Sequence, residues 1–141
     1  MSLVFLIGRI IFSLIFVASG INHVAQPAGA AAVAEGRGIG NARTLTQVAG
    51  AIWIVGGVSI ILGLFGDLGA LLIAGQLVVL GVLIHPFWKE TEPEAQQLEM
   101  TQFMKNLSMA GGALVIFAMF GGAGDVLDFV ITDPVIELDL P

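Results

Sequence analysis

Long apolar runs separated by short polar stretches make up almost the whole chain. Four runs stand out, at residues 3–23, 44–65, 68–87 and 103–122. A membrane helix needs about 20 mainly apolar residues to cross roughly 30 Å of hydrocarbon, and each run meets that length. A membrane barrel would show strict alternation over segments of about 10 residues. These runs are longer and apolar at both odd and even positions. Backbone groups in lipid must be satisfied within a helix or a closed barrel, so the pattern predicts an all-α fold, an integral membrane four-helix transmembrane bundle. The first run is expected to be a retained span rather than a cleaved leader, because Arg9 lies inside its apolar core and the run exceeds a usual signal core.

The polar stretches set the organisation. Residues 24–43 are rich in Ala and Gly and carry Pro27, Glu35, Arg37 and Arg43. They predict a short helix on the membrane surface and a glycine turn at 36–40. Gly66 and Asp67 alone join the second and third runs, which predicts a tight antiparallel hairpin. Residues 89–102 read as an acidic hydrophilic loop. The expected layout is one transmembrane domain over residues 1–124, with loops 24–43 and 89–102 on the same side, and an acidic C-terminal tail over 125–141. On the second run, Gly50 and Gly57, then Gly56 and Gly63, recur at seven-residue spacing, and Ser59 precedes Gly63 by four. Small residues in such stripes let helix backbones approach closely.

Composition sharpens this picture. Hydrophobic residues make up 57% and charged residues 11%, against about 25% charged in a soluble domain. That is too little polarity to cover a water-soluble globule. Cysteine is absent, which excludes disulfides, thiolate metal sites and dithiol chemistry. The net charge of −6 is concentrated in Glu90, Glu92, Glu94 and Glu99, and in Asp125, Asp128, Asp133, Glu137 and Asp139. Without a basic stripe, nucleic acid is excluded as a partner. Arg37, Arg43, Lys89 and Lys105 fall on the loop side and only Arg9 approaches the other. The positive-inside rule then predicts cytoplasmic loops with both termini outside.

Ionisable groups inside spans are functional-site candidates by default. Arg9 lies roughly 21 Å along the helix from His23, toward the outer face, where Asp67, Asp125 and Asp128 are its candidate partners. The plainer expectation for Arg9 is snorkelling or a structural ion pair; the functional one is an anion or quinone-carbonyl contact. His23 and His85 end the first and third runs at the same depth. A facing pair would ligate a b-type haem or a metal, or protonate a quinone. Histidine is also common at helix C-termini, where it favours the dipole, so haem ranks low and no metal site is expected. Gln76, near the middle of its span, is expected to bond to a neighbouring helix. Trp88 reads as an interfacial anchor and Trp53 as packing. Lys105 and Asn106, with Asn22, His23, His85 and Lys89, form the one constellation resembling a site, a polar pocket at the cytoplasmic interface.

Several motifs resemble a known family. Gly8-Arg9 followed by Phe16, Gly20 and His23 is similar to the opening of the DoxX family of small four-helix membrane proteins. Gly56-Gly57 through Gly63-Leu64-Phe65 resembles that family's glycine-rich second helix. The resemblance is clearest in His85-Pro86-Phe87-Trp88 and in Phe103-Met104-Lys105-Asn106-Leu107-Ser108-Met109-Ala110-Gly111-Gly112. In order and spacing it covers nearly the whole chain through Asp128. It implies an association with quinone-linked oxidoreductase complexes, sulfur oxidation or oxidative-stress assemblies. The chain departs from the family pattern at two places. Trp53 stands where the family often has an intramembrane acid, and Asp67 where it often has a basic residue. The missing acid would be the natural proton carrier of a quinone reaction.

Three functions compete. The first is a non-catalytic accessory subunit of a larger respiratory or energy-converting membrane complex. The second is a quinone- or haem-linked membrane oxidoreductase subunit using Arg9, His23, His85, Lys105 and Asn106. The third is a small transporter, ranked last because transporters gather several polar groups at the midplane and Gln76 stands alone there. The expected setting is a bacterial inner (plasma) membrane, with the lipid bilayer and other complex subunits as partners.

Overall fold

Five α-helices and one 3₁₀ turn carry the chain in a computed structural model that describes residues 2–123 and 127–139. They are α1 (Ser2–Ala25), α2 (Ala28–Gly36), α3 (Ala42–Leu62), α4 (Gly66–Ile84), the turn Phe87–Lys89 and α5 (Pro93–Ala123). The described residues contain no strand. Helices α1, α3, α4 and α5 are each long and apolar enough to cross a membrane, as the apolar runs predict. The short helix expected within 24–43 is α2, which lies against α3.

Two connections differ from the expected ones. Gly66 and Asp67 are not a turn but the first residues of α4. The chain reverses earlier, through Gly63 at φ 64° and Phe65 at φ 51°. Glycine takes this left-handed conformation freely, and Asp67 gains from the positive end of the helix dipole. Residues 93–102, expected to lie in a loop, are the first turns of α5. Pro93 suits the first helical position, Glu94 complements the dipole, and Glu, Ala, Gln and Leu are good helix formers. Polarity there marks exit from the membrane rather than loss of helix. At 31 residues, α5 is roughly 46 Å long at 1.5 Å per residue, well beyond the hydrocarbon thickness.

Packing runs from α1 to α3, α3 to α4 and α4 to α5. Small residues make the first two contacts close. A Cβ on Gly57 would lie 2.8 Å from Val17 Cγ2, and one on Gly69 would lie 2.9 Å from the Gly56 carbonyl oxygen. Helices α1 and α5 meet through aromatic side chains instead. Phe5 and Phe120 sit edge to face at 5.2 Å, and Phe12 packs beside Gly112. Phe16, Ile60, Ile73, Leu77, Ile116 and Phe120 are buried between the helices, while Val4, Ile11, Val55 and Val115 face outward. Such a surface suits lipid, which offers apolar side chains the same environment as a helix neighbour.

The tail folds back across the end of the bundle that carries the α3–α4 reversal. The Ile131 and Thr132 amides donate to the Gly63 carbonyl at 3.0 and 3.1 Å. The Phe65 amide donates to Thr132 Oγ1 at 2.8 Å, and the Leu138 amide to the Gly121 carbonyl at 2.9 Å. Residues 127–139 therefore strap the ends of α3, α4 and α5 together. The expected boundary between residues 124 and 125 lies outside the described residues.

Candidate functional site

The polar residues singled out above occupy separate places. Arg9 projects from α1 into the bundle rather than snorkelling outward, and is 1% exposed. Its guanidinium lies 5.6 Å from the centre of the Phe5 ring and 5.4 Å from that of Phe120, an arrangement in which aromatic rings favour a cation. Nη2 donates to the Phe129 carbonyl of the tail. Nε and Nη1 have no hydrogen-bond partner among the described residues, and neither does Ser13 Oγ, one helical turn away. Of the three expected acidic partners, Asp67 is fully buried but turns to the tail, accepting from the Val135 and Ile136 amides at 2.8 Å each. Asp128 is exposed, and Asp125 lies outside the described residues. No ion pair to Arg9 forms among the described residues.

His23 belongs to the α1–α3 contact. Its Nδ1 donates to the Ser19 carbonyl at 2.7 Å and its ring meets Trp53 edge to face at 4.9 Å. Trp53 also meets Phe16 edge to face at 6.1 Å, so it packs as expected. Gln76 Nε2 donates to the Ala49 carbonyl at 2.9 Å, tying α4 to α3 as its position predicts.

His85 stands in a different neighbourhood, at the end of α4 where Pro86 forbids continuation. Its Nδ1 donates to Glu99 Oε2 at 2.8 Å. The other Glu99 oxygen lies 3.0 Å from Arg37 Nη2, and Arg37 Nη1 donates to Glu90 at 2.6 Å. The Glu90 hydrogen bond is the main cause that raises the Arg37 guanidinium above its ordinary pKa, against the opposing effect of burial. This four-residue cluster locks the loop after α2 to the start of α5. Beside it Phe87, Trp88 and Phe103 form an aromatic group with centroids 5.1 to 5.7 Å apart. Trp88 is 50% exposed, as an interfacial residue would be.

The expected pocket is thus divided. Among the described residues, no hydrogen bond, ion pair or ring contact joins His23 to His85. Lys105 is exposed and donates within its own helix to Gln102, and Asn106 packs toward Gly81 of α4. Both lie well inside α5 rather than at its start. Sequence reasoning missed Ser13, although its spacing of four from Arg9 marks a shared helix face. It also missed Glu99 as the partner of both Arg37 and His85, and the pairing of Arg37 with Glu90 across 53 positions, for which no local signal exists.

The fold and its lipid-suited exterior define a small α-helical integral membrane protein with four spans. The family model of DoxX matches residues 4–86, more than half of the chain, and the chain belongs to the DoxX family. The matched stretch covers α1 through α4, so Lys105 and Asn106 stand beyond it. No curated protein and no solved structure matches the chain.

Proposed function

We propose that this DoxX protein is a non-catalytic accessory subunit of a larger respiratory or energy-converting membrane complex. One observation supports the reading: α5, at 31 residues, is longer than a span needs, and its polar end carries an exposed leucine. That end is fixed by the Arg37, Glu90, Glu99 and His85 cluster. On its outer side Leu98 is 59% exposed, beside exposed Glu94 and Gln97. An exposed leucine outside the membrane, on a helix held rigid by ion pairs, is suited to a partner surface. The energy-converting setting comes from the family resemblance alone. In this reading the polar end of α5 faces the cytoplasm of a bacterial cell, consistent with Arg37, Arg43, Lys89 and Lys105 lying at that end.

The test is a photo-crosslinking side chain at Leu98 in the native membrane, followed by gentle detergent extraction and identification of the joined chain. One stoichiometric membrane partner, joined from Leu98 but not from outward-facing Val115, is the expected result. An isolated chain that carries stoichiometric quinone or haem would replace this reading with the oxidoreductase one. That second reading is favoured by the buried, incompletely bonded Arg9 donors, which suit a carbonyl oxygen.

A further inference from the structure

Arg9 poses a charge problem that the described contacts do not solve. Arginine stays protonated at any working pH, and burying its charge without a partner is strongly unfavourable. Among the described residues, a fully buried guanidinium is met by one neutral carbonyl and two aromatic rings. The groups left without a partner among the described residues on this face of α1 are all able to donate: Arg9 Nε, Arg9 Nη1 and the Ser13 hydroxyl.

The group that does reach Arg9 comes from outside the bundle, and its geometry is unusual. Phe129 has φ 64°, a left-handed conformation that is strained in a bulky residue. Its ring is 62% exposed rather than packed into the bundle. The strained backbone serves to turn a carbonyl oxygen inward onto Arg9. Helices α1 and α5 are joined through the side chains of Phe5, Phe12 and Phe120.

We propose that Arg9 and Ser13 form a binding site for the oxyanion head of a lipophilic molecule, and that the Phe129 carbonyl is its displaceable substitute. The lipid tail enters between α1 and α5, and the head replaces Phe129 on Arg9 while Ser13 donates a second hydrogen bond. Displacement relaxes Phe129 and loosens the strap near it, moving the exposed Asp128 away from the incoming anion. Asp67 keeps its own bonds to Val135 and Ile136, so the far part of the strap stays attached. A fatty-acid carboxylate and a phospholipid phosphate share the required chemistry. The site does not depend on the accessory-subunit reading.

The test uses the full chain in a non-ionic detergent, with oleate and phosphatidylglycerol as probes and methyl oleate and inorganic phosphate as controls. Saturable binding of one anionic lipid per chain is expected, at least tenfold weaker in Arg9→Gln and severalfold weaker in Ser13→Ala. Chymotryptic cleavage after Phe129 should accelerate in parallel with occupancy in the wild-type protein. Preference for oleate identifies a carboxylate head, and preference for phosphatidylglycerol a phosphate. If Arg9→Gln fails to insert, Ser13→Ala decides by itself, since it removes only a hydroxyl. Binding that is not weakened in the decisive variant, equal binding of methyl oleate, or no saturable binding overturns the proposal. So does oleate binding that appears only in Asp125→Asn, because Arg9 would then be neutralised by the tail itself.

Discussion

Gly20 of α1 and Gly50 of α3 meet backbone to backbone. A Cβ on Gly20 would lie 2.6 Å from the Gly50 carbonyl oxygen, and a Cβ on Gly50 would lie 2.8 Å from that of Gly20. This crossing brings His23 against α3 and sets the rotation that turns Arg9 and Ser13 inward. Alanine at either glycine should force the helices apart and cost about 1–3 kcal/mol, the usual range for overpacking. Gly75 and Gly111 have open space around them, so alanine there should be tolerated. Thermal unfolding in detergent, followed by far-ultraviolet circular dichroism, compares the four variants.

Glu99 is the shared acceptor of the loop-side cluster. Glu99→Ala removes the partner of both His85 and Arg37 and should cost about 1–2 kcal/mol, the charged hydrogen-bond range discounted for partial exposure. Amides around Phe87–Lys89 should exchange faster, while the Leu138 amide at the opposite end should not. A double-mutant cycle with Arg37→Ala should return a coupling energy well above zero.

The strap depends on Asp67. Asp67→Ala leaves the Val135 and Ile136 amides without their acceptor and should cost about 1–3 kcal/mol, the penalty of an unsatisfied donor. Hydrogen exchange should show protection lost at those two amides. Unchanged protection there would mean that the strap is held by its other contacts.

Gln76 joins α4 to the Ala49 carbonyl across the bundle. Gln76→Leu should destabilise by about 0.6 kcal/mol, the average for interhelical hydrogen bonds in membranes, and by no more than about 1.7 kcal/mol. The loss is partly offset because Oε1 has no partner among the described residues, so its burial cost disappears with the amide. Unfolding measured beside the glycine variants checks the magnitude.

The resemblance and the bundle were both legible in the chain because each depends on local order. Gly8, Arg9, Gly20 and His23 carry their spacing in one helix, and the apolar runs carry theirs. The candidate pocket was less legible. Equal depth placed His23 and His85 together along one axis, but depth says nothing about rotation, and the two rings turn to different neighbours. Lys105 was misplaced along α5 because charge marked where the apolar run begins, not where the helix does.

The number of spans, their helical character and their residence in lipid are fixed by sequence alone. In hydrocarbon each span must satisfy its own backbone and offer about 20 apolar residues, and both are properties of one stretch of chain. Tertiary structure decided which way Arg9 faces, that the acidic tail returns to meet it across 120 positions, and that Arg37 meets Glu90 across 53. Those contacts depend on helix rotation, which glycine crossings such as Gly20 with Gly50 set through packing between distant segments.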